Sequence, residues 1–369
     1  MVRGRQTARR YPAPEVEIRA SAPCEYLLHL SECSIPGIYA ATALGQAWFD
    51  EVRAGIAPEL LAAIERFSTP DASLLLWPRL LGLADETPAP RDVPAFLAHL
   101  AALPPMQLPL TLLGYHAGPL GQLAPSEATY LAAQGDAAAV GAVAARHFPN
   151  DGARRDALVA LLAAGPARAS ARLLALLGRW YDEAFRAREA AILPILARDA
   201  AAQRALRGTL ALEQLVEALT NGNEYRPDPG IRRVALVPTY VMRPFTETQR
   251  HRATDVICYP VADESLAEAM TGPPARLVRL HQALGDERRL RILRHLARER
   301  ATFQELAAAL DLPKSSLFYH IGILRAVGLL RVGAAAKGGR YGLRREGLAD
   351  MGDELLRYLE GSAENTEDG

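Results

Sequence analysis

Five polar side chains lie within seven consecutive positions near the C-terminus: Lys314, Ser315, Ser316, Tyr319 and His320. Together they supply one cation, three hydroxyl groups and an imidazole. Such groups form ion pairs with phosphates and hydrogen bonds with the exposed edges of bases. The chemistry that this stretch could perform is therefore recognition of a DNA surface.

A helix is expected to present these side chains. Leu317, Ile321 and Leu324 recur at spacings of four and three, which predicts one buried stripe. The same spacing leaves a polar set outside the stripe as candidates for DNA contact, namely Ser315, Ser316, Tyr319, His320 and Arg325. For His320 an alternative stays open, in which its ring packs against the preceding helix and touches no base.

The residues before this helix predict two supporting helices. Apolar residues recur at helical spacing in the stretch RRLRILRHLARE, which predicts a helix. Its arginines could be a solvated face that only adds electrostatic attraction to DNA. Thr302 precedes Glu305 by three positions, a capping-box spacing that marks a helix start. Pro313 suits the first turn of the next helix, and Gly328 is placed to end it.

A two-stranded hairpin is expected after Gly328. The runs LLRVG and RYGL read as strands, and the small residues between them, 334–339, read as a mobile tip. Lys337 at the tip and Arg340 in the second strand could reach phosphates beside a groove that holds the preceding helix. The combination is a winged helix-turn-helix.

Charge is distributed unevenly along the chain, although its formal net value is zero. Residues 275–345 hold fifteen Lys and Arg against five Asp and Glu. Residues 346–369 hold eight acids and one Arg, and residues 1–274 hold twenty-six basic and twenty-nine acidic side chains. A basic segment within a neutral chain is expected of a protein that binds nucleic acid.

The stretches LGDERRLRILRHL, SSLFYHIGILRAVGLL and GRYGL resemble the ArsR family of winged-helix repressors, over about a quarter of the chain. The resemblance implies that Lys314, Ser315, Ser316, Tyr319 and His320 face the major groove. It also implies that wing residues Lys337, Arg340 and Tyr341 lie at the DNA backbone. Pro313 departs from the polar cap usual at its position, which puts one local phosphate contact in doubt.

Members of that family often sense metals through cysteine pairs or through His and carboxylate ligands. The segment FQELAAALDL has no Cys or His, and the terminal helix has Asp350, Asp353 and Glu354 but no His. A thiolate or imidazole cage cannot be built at either place. We therefore expect no metal site in the winged domain, and no cofactor.

The family is usually dimeric, and two apolar stripes could serve that purpose. One consists of Leu277, Leu280 and Leu284, and the other of Leu348, Met351, Leu355 and Leu359. The plainer alternative is that these leucines complete the core of their own domain. We expect a homodimer, because two-fold operators match two-fold proteins.

Composition indicates a globular protein of two or three domains, with half of its 369 residues apolar. The Arg-rich N-terminus is not followed by an apolar segment, so neither a secretory signal nor a membrane anchor is expected. Three scattered cysteines, Cys24, Cys33 and Cys258, indicate a reducing, cytoplasmic location.

The front of the chain reads as successive short helices broken by Pro and Gly, from Pro23 to about Thr220. Beyond a turn-forming connection at 221–230, RRVALVPTYV and TDVICYPV are β-rich runs that could pair as a long hairpin, and 16–21 could be a third strand. Glycine-rich phosphate loops and the GxSxG and HExxH motifs are missing from the sequence, so no catalysis is expected.

An effector pocket could lie beside this hairpin, with Tyr240, Arg243, His251 and Tyr259 as the candidate lining residues. The alternative is that these are ordinary hairpin and core side chains. The expected effector is a small molecule.

The expected fold is mainly α. It comprises a basic disordered tail (1–14), a mostly helical sensor domain (15–262) with a β-hairpin near 231–260, a linker (263–274), a winged helix-turn-helix domain (275–360) and an acidic tail (361–369). The expected function is a cytoplasmic, homodimeric transcriptional regulator, a repressor, that binds double-stranded DNA. Two alternatives stay open: a protein-interaction scaffold built on a winged fold, and an enzyme with an unrecognised helical catalytic domain.

Overall fold

The computed structural model describes residues 12–35, 42–69, 76–115, 126–266, 273, 275–333 and 339–360. Most of the described elements are helices, which confirms the predicted mainly α class. A front domain and a smaller C-terminal domain each have an apolar core.

The front domain is built from short helices. Their bounds are α1 (Ala22–Cys33), α2 (Gly45–Ala54), α3 (Pro58–Glu65), α4 (Leu81–Asp85), α5 (Val93–Ala102), α6 (Gln107–Leu112), α7 (Glu127–Gln134), α8 (Ala137–His147), α9 (Gly152–Leu162), α10 (Pro166–Trp180), α11 (Arg186–Arg204) and α12 (Leu212–Leu219). Ser or Asp side chains accept a backbone N–H at the starts of α1, α5, α7, α8 and α9. Every residue of α1 is buried, so it is the central helix of this domain.

A four-stranded sheet completes the front domain. Its strands are β1 (Glu15–Ile18), β2 (Arg233–Thr239), β3 (Glu247–His251) and β4 (Thr254–Pro260), in the order β1-β2-β4-β3. Val237 and Cys258 belong to the larger apolar core, whereas Leu236 and Ile257 belong to a smaller one. The central strands are therefore covered on both faces.

The predicted pairing of the two β-rich runs as a hairpin is wrong. β2 and β4 are neighbours, but they run parallel, in a register from Arg233 with Thr254 to Thr239 with Pro260. The hairpin is formed instead by β3 and β4, which are antiparallel. Parallel strands buried on both faces read as continuous apolar runs, so the sequence pattern left their direction open.

The C-terminal domain consists of α13 (Ala275–Leu284), α14 (Glu287–Leu296), α15 (Phe303–Leu310), α16 (Lys314–Ala326), β5 (Leu330–Val332), β6 (Tyr341–Leu343) and α17 (Glu346–Glu360). Its core draws on each of the helices α13 to α16 and on β5. A 3₁₀ turn at Asp263–Leu266 precedes this domain in the chain and packs against α11. Asp199 of α11 accepts hydrogen bonds from the Ala262 N–H and the Ser265 hydroxyl.

Within the described residues, no single helix is both long and apolar enough to cross a membrane. One pair, Gly152–Leu162 with Pro166–Arg204, meets the length and composition criteria jointly but is bent by 118° at its break. Leu173, Leu177 and Trp180 of this pair are buried in the front core.

Candidate nucleic-acid interface

Local signals in the sequence position α14, α15 and α16. Asp286 caps α14 by accepting the Arg289 N–H at 3.2 Å. The predicted capping box is present at α15: the Thr302 N–H donates to Glu305 Oε2 at 2.7 Å, and the Glu305 N–H donates to Thr302 Oγ1 at 3.3 Å. Pro313 immediately precedes α16, and Gly328 follows it with a left-handed φ of 69°.

The N-terminal half of α16 presents an accessible surface. Lys314 is exposed, Ser316 is half-buried and Tyr319 is 47% exposed, in agreement with the predicted outer face. Phe318, which was not among the predicted contacts, is 57% exposed. A flat apolar ring can contact a thymine methyl group, so Phe318 joins the candidate contacts. Of Ser315, only the backbone position in the helix is described.

The predicted wing strands are present as the antiparallel pair β5 and β6. Arg340 is exposed at the start of the second strand, where it forms an ion pair with Glu305 at 3.1 Å and donates to the Arg300 carbonyl at 2.6 Å. Tyr341 is half-buried against the domain core. Lys337 and the wing tip lie outside the described residues.

Comparison with models of known protein families agrees with this geometry. A family model described as a helix-turn-helix domain matches residues 284–333. The C-terminal domain is a helix-turn-helix domain. A solved structure of reduced HlyU from Vibrio cholerae is 36% identical over 23% of this chain and 88% of its own, with a TM-score of 0.19. No curated protein matched the chain.

Two predicted DNA contacts of the helix-turn-helix domain need correction. His320 is 3% exposed, because it lies three residues after Leu317 and four before Leu324 and so widens the buried stripe. Burial also lowers the pKa of its imidazole. Arg325 points at the front domain, where it donates to Asn223 Oδ1 at 3.4 Å, and burial lowers the pKa of its guanidinium. Neither side chain is placed to enter a DNA groove.

A turn of the front domain pairs with the first wing strand, β5, through backbone hydrogen bonds. The Val332 N–H donates to the Gly222 carbonyl at 2.9 Å, and the Glu224 N–H donates to the Val332 carbonyl at 2.8 Å. On the other side, Ala301 pairs with Tyr341 through two backbone hydrogen bonds. The segment 221–230, which the sequence marked as a connection, therefore docks the helix-turn-helix domain onto the front domain.

Ion pairs also join the two domains. Arg300 lies 2.6 Å from Glu224, Arg331 lies 2.7 Å from Glu217, and Arg279 lies 2.7 Å from Asp263. These acids lower the net positive charge that the helix-turn-helix domain presents. Part of the basic excess in residues 275–345 is thus used for docking.

The front domain also reaches the C-terminal half of α16. A Cβ on Gly322 would lie 3.7 Å from the ring of Phe245. Thr42, Ala43 and Pro244 of the front domain border the same crevice as Tyr319 and Ile323. The freely approachable part of α16 is consequently its first two turns.

The four predicted effector residues do not line one pocket. Arg243 and Tyr259 are buried and line a cavity between the domains. His251 is buried against α4, 3.4 Å from Glu86, and Tyr240 is half-buried. Neither His251 nor Tyr240 lines that cavity. The sequence marked the right region but not the side chains that share it.

The two stripes predicted for dimerisation have different roles. Leu277 and Leu280 are buried, Leu280 in the core of the helix-turn-helix domain, and Leu284, Leu348 and Met351 pack partly against that core. Leu355 is half-buried and Leu359 is 66% exposed, as is Leu356 at 54%, which the predicted stripe did not include. Among the described residues, no three His, Cys, Asp or Glu side chains form a group that could hold a metal ion.

Proposed function

We propose that this chain is a DNA-binding transcriptional regulator of ArsR-like type, a repressor, whose DNA affinity is controlled by a ligand bound beside the front domain. One observation carries the proposal. The first two turns of α16 leave Lys314, Ser316, Phe318 and Tyr319 accessible on a helix that the helix-turn-helix framework holds in place. In such frameworks the N-terminal residues of the second helix contact base edges.

Ligand control is supported by the way that the domains are joined. Backbone hydrogen bonds and ion pairs attach the wing and α16 to the front domain, so a change at this joint would reposition the reading helix. A ligand shifts such an equilibrium only by its difference in affinity between the two arrangements. No catalytic step is required.

A homodimer in the cytoplasm completes the proposal. The exposed apolar side chains Leu356 and Leu359 lie near the end of α17, where a second copy could cover them. The three buried cysteines suit a reducing compartment. Two copies would present two α16 helices to the two halves of a palindromic operator.

The test is a fluorescence-anisotropy titration of the full chain with the DNA that flanks its coding region and with a shuffled duplex. A regulator should bind its own DNA at least about a thousandfold more tightly than the shuffled duplex at physiological salt. Tyr319→Ala should lose most of that preference. Arg168→Ala, which removes an exposed charge from α10 of the front domain, should retain it. Equal, weak binding to both duplexes would favour an interaction scaffold.

A further inference from the structure

A cavity of about 320 Å³ lies between the two domains. One wall comes from the front domain, including Asn221, Arg243 and Tyr259. The other comes from the helix-turn-helix domain and includes Ala326 to Gly328, where α16 ends. A ligand in this cavity would touch both sides of the joint at once.

Arginine dominates the charge of the cavity. Four arginines line it, at positions 243, 276, 279 and 344, against the two carboxylates Asp263 and Glu264. Asp263 is shared, because it forms ion pairs with both Arg243 and Arg279. Arg276 pairs with Glu354. The cavity wall thus carries more cations than anions.

Hydrogen-bond donors on these arginines are unused. The Nε groups of Arg279 and Arg344 are buried and have no hydrogen-bond partner among the described residues. The nearest carboxylate to Arg344 Nε is Glu217, at 4.0 Å, which is too far for a hydrogen bond. A buried cationic donor without a partner is costly, and a turn of the side chain toward an anion in the cavity would remove that cost.

The cavity also has an apolar side. Leu206, Leu219, Val261 and Val327 line it together with Tyr259. Its volume falls at the lower end of the range for small-molecule sites. An occupant that satisfies both parts has a carboxylate group and a compact apolar body.

We propose that this cavity binds a small organic carboxylate, held by Arg279 and Arg344 and covered by the apolar side chains. Binding should stabilise the docked arrangement, because residues of both domains contact the ligand. The regulatory consequence rests on the proposed function: a ligand that stabilises docking changes DNA affinity by the same factor by which DNA changes ligand affinity.

The experiment is isothermal titration calorimetry on the full chain without DNA, with benzoate and 3-phenylpropionate as carboxylates, benzamide as a neutral analogue of benzoate, and inorganic phosphate. At least one carboxylate should bind with a Kd at or below about 1 mM, and benzamide should bind at least about tenfold more weakly. Arg279→Gln and Arg344→Gln should each weaken carboxylate binding by about tenfold or more. Arg345→Gln is the matched control, because this exposed neighbour does not line the cavity.

Three outcomes would overturn the proposal: no binding of either carboxylate, equal binding of benzamide, or full affinity in both cavity variants. Phosphate binding tighter than that of both carboxylates would also overturn the assigned class. If either variant fails to fold, as judged by circular dichroism, Arg276→Gln provides another cavity variant, since this side chain is 39% exposed. DNA binding is measured separately, so a chain that binds carboxylates but no DNA would contradict the proposed function alone.

Discussion

At the scale of single residues, Lys314 and Tyr319 are the side chains best placed to separate electrostatic attraction from sequence reading. Both lie on the accessible turns of α16. A lysine at a phosphate contributes attraction that every DNA sequence shares, whereas a tyrosine hydroxyl at a base edge contributes to one sequence.

We expect Lys314→Ala to lower the slope of log affinity against log salt by about 0.9, with similar weakening on operator and shuffled DNA. Tyr319→Phe should instead cost about 1 to 3 kcal/mol at one operator position. Titrations at several salt concentrations, with single-base operator variants, measure both effects. An unchanged salt slope for Lys314→Ala would contradict the phosphate contact.

Buried acids give the front domain a pH-dependent stability. Burial, aided by the charge of Glu247, raises the pKa of Glu32 to about 8, and burial raises the pKa of Glu25 to about 7. Both values lie above the usual 4.5 of a glutamate. At pH values between the usual glutamate pKa and these raised pKa values, the folded state keeps protons that the unfolded chain has lost. The free energy of unfolding therefore falls as the pH rises.

The free energy of unfolding should therefore decrease between about pH 5 and pH 8, by at most about 1.4 kcal/mol per pH unit for each group. Urea titrations across this range measure the slope. Glu32→Gln should make the slope shallower, because the amide cannot ionise. Glu59→Gln, at an exposed position of α3, should leave it unchanged.

At the scale of elements, the turn at Gly222 controls how the wing is docked. Gly222 has a φ of 111°, and a Cβ there would lie 2.4 Å from the Leu330 carbonyl oxygen. Any larger residue must push β5 away from the front domain. The element that holds the wing in place therefore belongs to a different domain.

Gly222→Ala should break the pairing of 222–224 with β5 and destabilise the chain by about 1 to 3 kcal/mol. Hydrogen exchange should show faster loss of protection at the amides of Val332 and Glu224. Gly178→Ala is the control, because nothing lies within 4 Å of its Cβ position in α10. Unchanged protection at Val332 would count against docking by this turn.

The end of α17 carries the apolar side chains that a second copy would cover. Replacing Leu356 and Leu359 together by serine should shift the chain toward monomer, because the interface would lose apolar area. Sedimentation velocity over a range of concentrations measures the shift. Leu210→Ser, at a front-domain leucine of 37% exposure, should leave the association unchanged. A wild-type chain that stays monomeric would refute the dimer.

At the scale of the whole molecule, the acidic front domain and the basic helix-turn-helix domain neutralise each other in part. Glu217 and Glu224 pair with Arg331 and Arg300, which removes attraction that DNA would otherwise use. Each such partly exposed pair contributes roughly 0.2 to 1 kcal/mol. We therefore expect docking and DNA binding to compete for some of the same arginines.

The double variant Glu217→Gln with Glu224→Gln should loosen docking and raise DNA affinity at low salt, on operator and shuffled DNA alike. Glu213→Gln is the matched control, an exposed acid on the same helix, α12. Anisotropy titrations measure the DNA affinity of the double variant and of the control. A fall in DNA affinity for the double variant would show that docking assists DNA binding.

Short-range sequence patterns predicted much of the secondary structure of the C-terminal domain. The capping box at Thr302, the glycine at 328 and the period of Leu317, Ile321 and Leu324 appear as predicted, because each depends on hydrogen bonds or burial within a few residues. For His320 the pattern left contact with DNA and packing both open, since one helical period cannot tell how wide the buried stripe is, and the structure buries the ring. Phe318 was missed because an aromatic residue is normally assigned to a core.

The sequence by itself determined the mainly α class, the helix-turn-helix domain and its accessible first turns, since these follow from short-range spacing. Tertiary structure alone decided that β2 and β4 run parallel, that Arg325 faces Asn223, and that a turn at Gly222 extends the wing. Those features join residues up to about a hundred positions apart. Their pairing depends on which surfaces the whole chain brings together, and a local pattern contains no record of that choice.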